Sequence, residues 1–355
     1  MNTNLIPASL VQEIGISYAD ARKAVKSMNL IDGFLFDSSI EDEEDAKVVI
    51  GAILSTVFDR EIKEVRVTAQ KQFQAIETKY HGIRLDAHVT EEEDGKVSVT
   101  IYDVEMENRI ADKESLPKRL RFYNSLIDSR QLESGISYEN LPNFVSITIL
   151  SYDPFNAGDI YYEASTVLTT HPDIEYKDGI SHLYLYCNGK INERLSPSHG
   201  KRLMEVLKYI VSGEKTSALN PEVNNLEAVV SKIKNRPEVT KKYMQQWDRE
   251  RILIQEAKDE GTEIGKEIGK EQTLIGLICK KLLKGKSISV IASEVEEDEE
   301  YVKGICSIAK KYIPDYDEEK VYYEWKQMSQ SETSPVTQNN NYRRGLMAAP
   351  IFVYL

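Results

Sequence analysis

The chain has 355 residues, 41% of them hydrophobic, and a formal net charge of -13. This length exceeds that of one ordinary hydrophobic core and predicts a main domain with a second module, while the excess of acid argues against nucleic-acid binding through overall charge. The sequence has neither the run of roughly 18 apolar residues that a membrane span needs nor the pattern of a signal peptide, so we expect a cytoplasmic protein without membrane contact.

The predicted elements of the first two thirds mix helix and strand. Residues 18–29 have helical propensity, and Ala46–Phe58 brings Val49 and Ile53 near one helical face. Strands are predicted at 64–76, 82–90, 96–107, 144–151 and 181–187, with helices at 115–132 and 200–211. This order predicts a mixed α/β domain in which helices cover a sheet.

Two adjacent strands carry carboxylates at strand spacing. The segments on either side of the acidic turn 91–95 are rich in Val, Ile, Thr and Tyr, which favour strands. Because residues two apart share a face, Asp103, Glu105 and Glu107 point the same way, and Asp86 of the neighbouring strand can meet them there. Such a cluster needs a cation, and Mg²⁺ prefers oxygen ligands. The alternative is a solvated strand end whose acids face water.

Beyond residue 220 the strand signals end and the chain becomes charged and helical. Glycines at every fourth residue either permit a close helix contact or make a flexible connector; they are Gly261, Gly265 and Gly269. A small helical module follows, and its acidic turn suits packing or oligomerisation better than DNA reading. The Ser-, Thr-, Gln- and Asn-rich tail from residue 328 predicts disorder, and the apolar segment 346–355 has no functional interpretation.

The cysteines do not predict a zinc site. Cys187, Cys279 and Cys306 have no CxxC pairing and no His at ligand spacing, so we expect reduced core residues.

Positive charge concentrates in two groups that are candidates for a basic face. The first comprises Lys118, Arg119 and Arg121. The second comprises Lys232, Lys234, Arg236, Lys241 and Lys242, and is more simply an ordinary charged helix surface.

Several motifs in sequence resemble one nuclease family. Asp86 followed by Asp103-Val-Glu105-Met-Glu107 is similar to the strand Asp and the D-I-E-x-Q segment of the PD-(D/E)xK nuclease superfamily, specifically its recombination-promoting nuclease (Rpn) and transposase branch. Further likenesses, in the expected order, are Asp32–Phe36, the K-R-x-x-x-Y helix at Lys118–Tyr123, the turn from Gln131 to Tyr138 and the strand Val145–Leu150.

This resemblance implies an α/β fold with a restriction-endonuclease-like mixed sheet flanked by helices and a C-terminal all-helical extension. We therefore predict five segments in chain order. They are an N-terminal helical lead-in at 1–30, a nuclease-like domain at 31–215, a charged helix with the glycine repeat at 220–272, a helical module at 273–315 and a disordered tail at 328–355. Homo-oligomerisation through the C-terminal helices is a further expectation.

The resemblance also implies a metal-dependent DNA endonuclease, linked to recombination or mobile elements. Asp86 and Glu105 would hold Mg²⁺ or another divalent cation, with Asp103 as an accessory carboxylate. The candidate substrate contacts on the following helix are Lys118, Arg119, Arg121 and Tyr123. The first core helix of this fold often adds an acid, for which Glu44 and Asp45 are the candidates.

One residue departs from the family pattern. Glu107 stands where this branch usually carries Gln and the wider superfamily Lys. An ionised carboxylate can only accept hydrogen bonds, so Glu107 would act as a third ligand or as a general base beside the attacking water. The alternative is a catalytically inactive protein that keeps the nuclease fold for binding or regulation, and a weaker one is an interaction scaffold built on the glycine-repeat helix.

Overall fold

The computed structural model describes residues 15–62, 64–73, 83–93, 96–132 and 134–332. Within these residues the strands are β1 Glu64–Phe73, β2 Ile83–Glu93, β3 Lys96–Glu107, β4 Asn143–Leu150, β5 Tyr161–Ser165 and β6 Ile180–Tyr186. The helices are α1 Tyr18–Ser27, α2 Gly33–Ser39, α3 Glu43–Phe58, α4 Leu116–Asp128, α5 Pro197–Ser212, α6 Pro221–Asn235, α7 Pro237–Leu283, α8 Ile288–Val295, α9 Glu299–Ala309 and α10 Glu318–Glu332.

The strands form one mixed sheet in the order β1-β2-β3-β4-β6-β5. β1, β2 and β3 pair antiparallel as consecutive neighbours, whereas β3, β4 and β6 are parallel. Parallel neighbours need a crossover connection, and α4 supplies it between β3 and β4. β5 closes the far edge, antiparallel to β6. The predicted mixed α/β sheet flanked by helices is therefore confirmed.

Two helices lie on opposite faces of this sheet. α4 packs its apolar side chains, among them Leu126 and Ile127, against Ile101 and Phe144. Tyr102 points to the other face because side chains alternate along a strand. There its ring packs 5.4 Å, centroid to centroid, from Phe58 at the end of α3. The residues of β3 that follow Ile101 at spacing two are therefore on the α4 side.

Two of the acidic runs begin helices. Asp42 caps α3 by accepting a hydrogen bond from the backbone N–H of Asp45, and three acids occupy the first turn. Asp298 caps α9 in the same way, ahead of Glu299 and Glu300. Negative charge at a helix N-terminus is stabilised by the free N–H groups and the helix dipole. These acidic residues therefore stabilise the N-termini of their own helices.

The chain divides into two compact units, residues 1–246 and 247–355. The sheet belongs to the first unit. The second has a core of its own, in which Ile275 and Ile278 of α7 meet Ile291 of α8 and Ile305 of α9. Among the helices of the described chain, none combines the length and the apolar character required to cross a bilayer.

Some sequence predictions fall outside the described residues. These are residues 1–14 of the N-terminal lead-in, positions 74–76 and 82 of the predicted strands, the tip of the acidic turn at 94–95, and residues 333–355 of the tail with its apolar segment 346–355. α10 continues to Glu332, so residues 328–332 of the predicted tail are helical. All three cysteines are buried and free.

Candidate active site

Asp86 of β2 and the carboxylates Asp103 and Glu105 of β3 lie on one face of the sheet. His88 is paired with Asp103 in the antiparallel ladder, and directly opposed residues of such a ladder share a face. Asp86 and Glu105 are each two residues away from this pair, so they lie on the same side. The Asp86 carboxylate accepts a hydrogen bond from the backbone N–H of Met106, with N and Oδ2 3.3 Å apart. The two strands therefore hold Asp86, Asp103 and Glu105 in one neighbourhood.

Two of these carboxyl groups are buried and have oxygens without a hydrogen-bond partner among the described residues. Asp103 is 0% and Glu105 7% exposed. Burial raises the pKa of both well above the ordinary value, and the charge of Asp86 raises it further, while Arg119 opposes the shift. Within the described residues, neither oxygen of Asp103 has a hydrogen-bond partner, and Oε1 of Glu105 has none. Because buried polar atoms are nearly always paired, these oxygens mark a place for a ligand.

The orphaned oxygens fit a hard divalent cation. Mg²⁺ takes oxygen ligands and is usually held by one or two carboxylates together with water and phosphate. Over the part of the chain that the structure describes, no group of three or more His, Cys, Asp or Glu side chains is placed to hold a metal ion. A cation bound to Asp103 and Glu105 would therefore take most of its ligands from water and substrate, as Mg²⁺ usually does.

Glu107 is engaged in an ion pair. Its Oε2 atom accepts a hydrogen bond from Nη2 of Arg119 at 2.5 Å, and its Oε1 atom accepts one from the backbone N–H of Arg109 at 2.9 Å. Burial alone would lower the pKa of Arg119, but the Glu107 and Glu105 carboxylates outweigh it and raise that pKa. The Glu107 carboxylate is therefore neutralised by α4 and has both oxygens occupied.

The four candidate substrate contacts on α4 separate into two pairs. Arg119 and Tyr123 adjoin the carboxylates. Burial, with a contribution from Glu105, raises the pKa of the Tyr123 hydroxyl, and the Tyr123 ring packs against the apolar clusters beneath α4. Lys118 and Arg121 are exposed on the solvent side of the same helix. The helix thus presents one charged and one aromatic side chain to the carboxylate face.

β4 extends the polar face in a way that the sequence prediction missed. Ser146 is in parallel register with Asp103, and Thr148 with Glu105. Both are buried; Ser146 Oγ lies 2.7 Å from Nδ1 of His182 on β6, whereas Thr148 Oγ1 has no partner among the described residues. The signal was present, since these hydroxyl residues alternate with isoleucines in a strand that is otherwise apolar.

The acids of the first core helix are used elsewhere. The buried Asp45 carboxylate accepts hydrogen bonds from Lys232 at 2.7 Å and from Arg236 at 3.1 Å, both near the end of α6. Glu44 is exposed and pairs with Lys47 of its own helix. The contacts of Asp45 join α3 to α6. Lys232 and Arg236, two members of the second basic group, are therefore paired with a carboxylate.

Comparison with known proteins agrees with this architecture. A mixed sheet that gathers carboxylates from neighbouring strands under a helix is the arrangement of a nuclease-type domain. The model of the PD-(D/E)XK nuclease family transposase matches residues 34–258, well over half of the chain, and the protein belongs to that family. The predicted superfamily and its transposase branch are thereby confirmed. No curated protein and no solved structure gives a significant match.

Proposed function

We propose that the protein is a metal-dependent DNA endonuclease of the Rpn type, which hydrolyses phosphodiester bonds during recombination or the movement of mobile elements. The observation that carries this proposal is the pair of buried carboxylates, Asp103 and Glu105, which lie on one face with Asp86. Both oxygens of Asp103 and Oε1 of Glu105 lack hydrogen-bond partners within the described residues. Membership of a nuclease family supports the reaction class, and a DNA substrate is the class that such a family implies.

In this proposal Asp86 and Glu105 hold Mg²⁺, and Asp103 is the accessory carboxylate. The ion, when bound, activates water and neutralises charge on the phosphate. The chain itself contributes orientation. Asp86 is fixed by its hydrogen bond from the Met106 backbone, and the apolar side chains of α4 exclude bulk water from the inner end of the site. Glu107 stands at the position where the superfamily carries its water-orienting residue.

The alternative is a nuclease-fold protein without turnover. Its supporting observation is that both oxygens of Glu107 already accept hydrogen bonds, from Arg119 and from the Arg109 backbone. A carboxylate, unlike the Gln or Lys of the family, also has no donor to offer the attacking water. On this reading the wild type is inert on DNA, and Glu107→Gln or Glu107→Lys gains activity by restoring a family residue.

The decisive experiment is cleavage of supercoiled plasmid in the presence of Mg²⁺. We expect nicking that falls in Asp86→Ala and Glu105→Ala by more than the about 10- to 100-fold that loss of an outer-shell partner of a metal ligand costs. Glu114→Ala, which removes an exposed acid just before α4, is the matched control and should cleave like the wild type. Cleavage that survives both ligand substitutions would refute the site. An inert wild type alongside an active Glu107 variant would favour the alternative.

A further inference from the structure

The carboxylate face has one prominent source of positive charge among its described neighbours, and it lies on α4. Arg119 is mostly buried, with its side chain 22% exposed, and its charge acts on Asp103, Glu105 and Glu107 together. A site that gathers four carboxylates repels an approaching phosphodiester. A cation held among them offsets that repulsion and stabilises the charge that develops on the phosphate.

The guanidinium group of Arg119 is only partly used. Nη2 donates to Glu107, and Nη1 lies 3.7 Å from an oxygen of Asp112, which is beyond hydrogen-bond distance. Nε is buried and, within the described residues, has no hydrogen-bond partner. A buried guanidinium donor without a partner is costly unless a ligand satisfies it. Phosphate oxygens match the planar donors of a guanidinium well.

Glu107 holds the guanidinium group of Arg119 in place. One of its oxygens accepts a hydrogen bond from the backbone N–H of Arg109, just after the end of β3, and the other accepts one from the guanidinium. Such a carboxylate holds the long Arg119 side chain in one geometry before substrate binds. The side chain then loses less conformational entropy when it contacts substrate. The presence of a carboxylate at Glu107 is therefore explained by its ion pair with Arg119.

We propose, on the basis of the nuclease function proposed above, that Arg119 is the catalytic cation of this site and contacts the scissile phosphate, and that Glu107 is its positioning residue rather than a metal ligand or a general base. The positive charge that the wider superfamily places on the strand, as Lys, is here supplied from α4 and tethered to the strand by Glu107.

Relocation of the charge is the first test. Arg119→Ala should lower the plasmid-nicking rate by about 100-fold or more, the range seen when one donor to a developing oxyanion is lost. The double variant Glu107→Lys with Arg119→Ala returns an ammonium group to the strand, and we expect it to recover about tenfold or more over Arg119→Ala, since Lys also binds phosphate as a point charge. Added guanidinium ion should likewise raise the rate of Arg119→Ala. Arg202→Ala, which breaks the exposed ion pair to Asp59, is the matched control and should nick at the wild-type rate.

Binding of Mn²⁺ without DNA is the second test and does not depend on turnover. Arg119→Ala should bind Mn²⁺ more tightly than the wild type, because a positive charge next to the ligands is gone, even as nicking falls. Glu107→Gln removes a nearby negative charge but no ligand, so it should weaken Mn²⁺ binding only slightly, whereas Glu105→Gln should abolish it. A merely structural ion pair would not produce tighter metal binding together with slower cleavage.

The outcomes separate this inference from the proposed function. If the wild type nicks DNA through Asp86 and Glu105 but Arg119→Ala nicks normally, only the role of Arg119 is refuted. The role of Arg119 is also refuted if Arg119→Ala keeps the wild-type melting temperature while neither the added Glu107→Lys substitution nor guanidinium ion restores activity. If Glu107→Gln weakens Mn²⁺ binding as much as Glu105→Gln, Glu107 is a ligand and the inference fails. If the wild type neither binds Mn²⁺ nor nicks DNA, the proposed function itself falls.

Discussion

Asp103 is the residue at which the carboxylate cluster most directly affects the stability of the fold. It is buried beside Glu105, and burial together with the neighbouring charge of Asp86 raises its pKa. A carboxyl group whose pKa is higher in the folded than in the unfolded protein stabilises the fold below the unfolded value of about 4. That contribution is lost as the pH rises through the raised pKa. The contribution of Asp103 to the stability of the metal-free protein is therefore expected to fall from about pH 4 upward, while cation binding, which needs the ionised form, strengthens.

Asp103→Asn tests this reasoning, because the amide keeps the shape and removes the charge. At pH 8 without metal we expect the variant to melt about 2–4 °C above the wild type, which corresponds to roughly 1 kcal/mol for a unit of this size. We also expect it to gain less stability from added Mg²⁺. Thermal unfolding at pH 5 and pH 8, with and without Mg²⁺, measures both effects, and the difference between the proteins should shrink at pH 5.

Asp153 provides a control of opposite sign. Burial alone would raise its pKa, but hydrogen bonds from the Tyr162 hydroxyl and from backbone N–H groups, including that of Gly158, lower it. Asp153→Asn should therefore destabilise the protein at pH 8. If both Asn variants shift the melting temperature in the same direction, the electrostatic account of Asp103 is wrong.

At the scale of elements, most of the sheet could be predicted from residue patterns. β1 to β4 and β6 have long runs of strand-forming residues with period-two alternation, and the structure confirms them. β5 was missed because Tyr161–Ser165 is a short edge strand with exposed residues, so no burial pattern marks it. α2 was missed as a helix for a related reason, since seven residues are too few to display a helical period.

The candidate site was predictable only in part, for the same physical reason. The carboxylates of β3 lie two residues apart, so a local rule places them on one face. The contact between Glu107 and Arg119 depends on how α4 crosses back over β3, and the contacts of Ser146 and Thr148 depend on the parallel register of β4. Neither follows from spacing along one element, because both are set by tertiary packing.

The ion pairs of Asp45 join α3 to α6, and we expect them to serve packing rather than metal binding. Asp45→Asn should lower the free energy of unfolding by about 1–2 kcal/mol, a modest value because Lys232 and Arg236 are partly exposed and regain water. Mn²⁺ affinity should stay at the wild-type value. Chemical denaturation and metal titration of the same variant measure the two quantities, and weaker Mn²⁺ binding would show that the first core helix does supply an acid.

At the scale of the molecule, the two compact units have separate cores. The family match ends at residue 258, soon after the boundary between the units at 246 and 247. The glycine repeat of α7 makes no close packing contact, because a Cβ added at Gly261, Gly265 or Gly269 would meet no described atom beyond the helix's own backbone within 4 Å. The stability of the second unit comes instead from the apolar residues of α7 to α10.

Separate cores should unfold in separate steps, and a core substitution can show it. Ile305 is fully buried in the second unit, and Ile305→Ala should cost that unit about 2–5 kcal/mol, the range for large-to-small changes in a core. Val290→Ala shortens an exposed side chain of the same unit and should cost little. We expect calorimetry of the full chain to show one transition lowered by Ile305→Ala and the other unchanged, with Mn²⁺ affinity and plasmid nicking retained at temperatures below both. A single transition that shifts as a whole, together with weaker metal binding, would mean that the helical unit is required to stabilise the sheet.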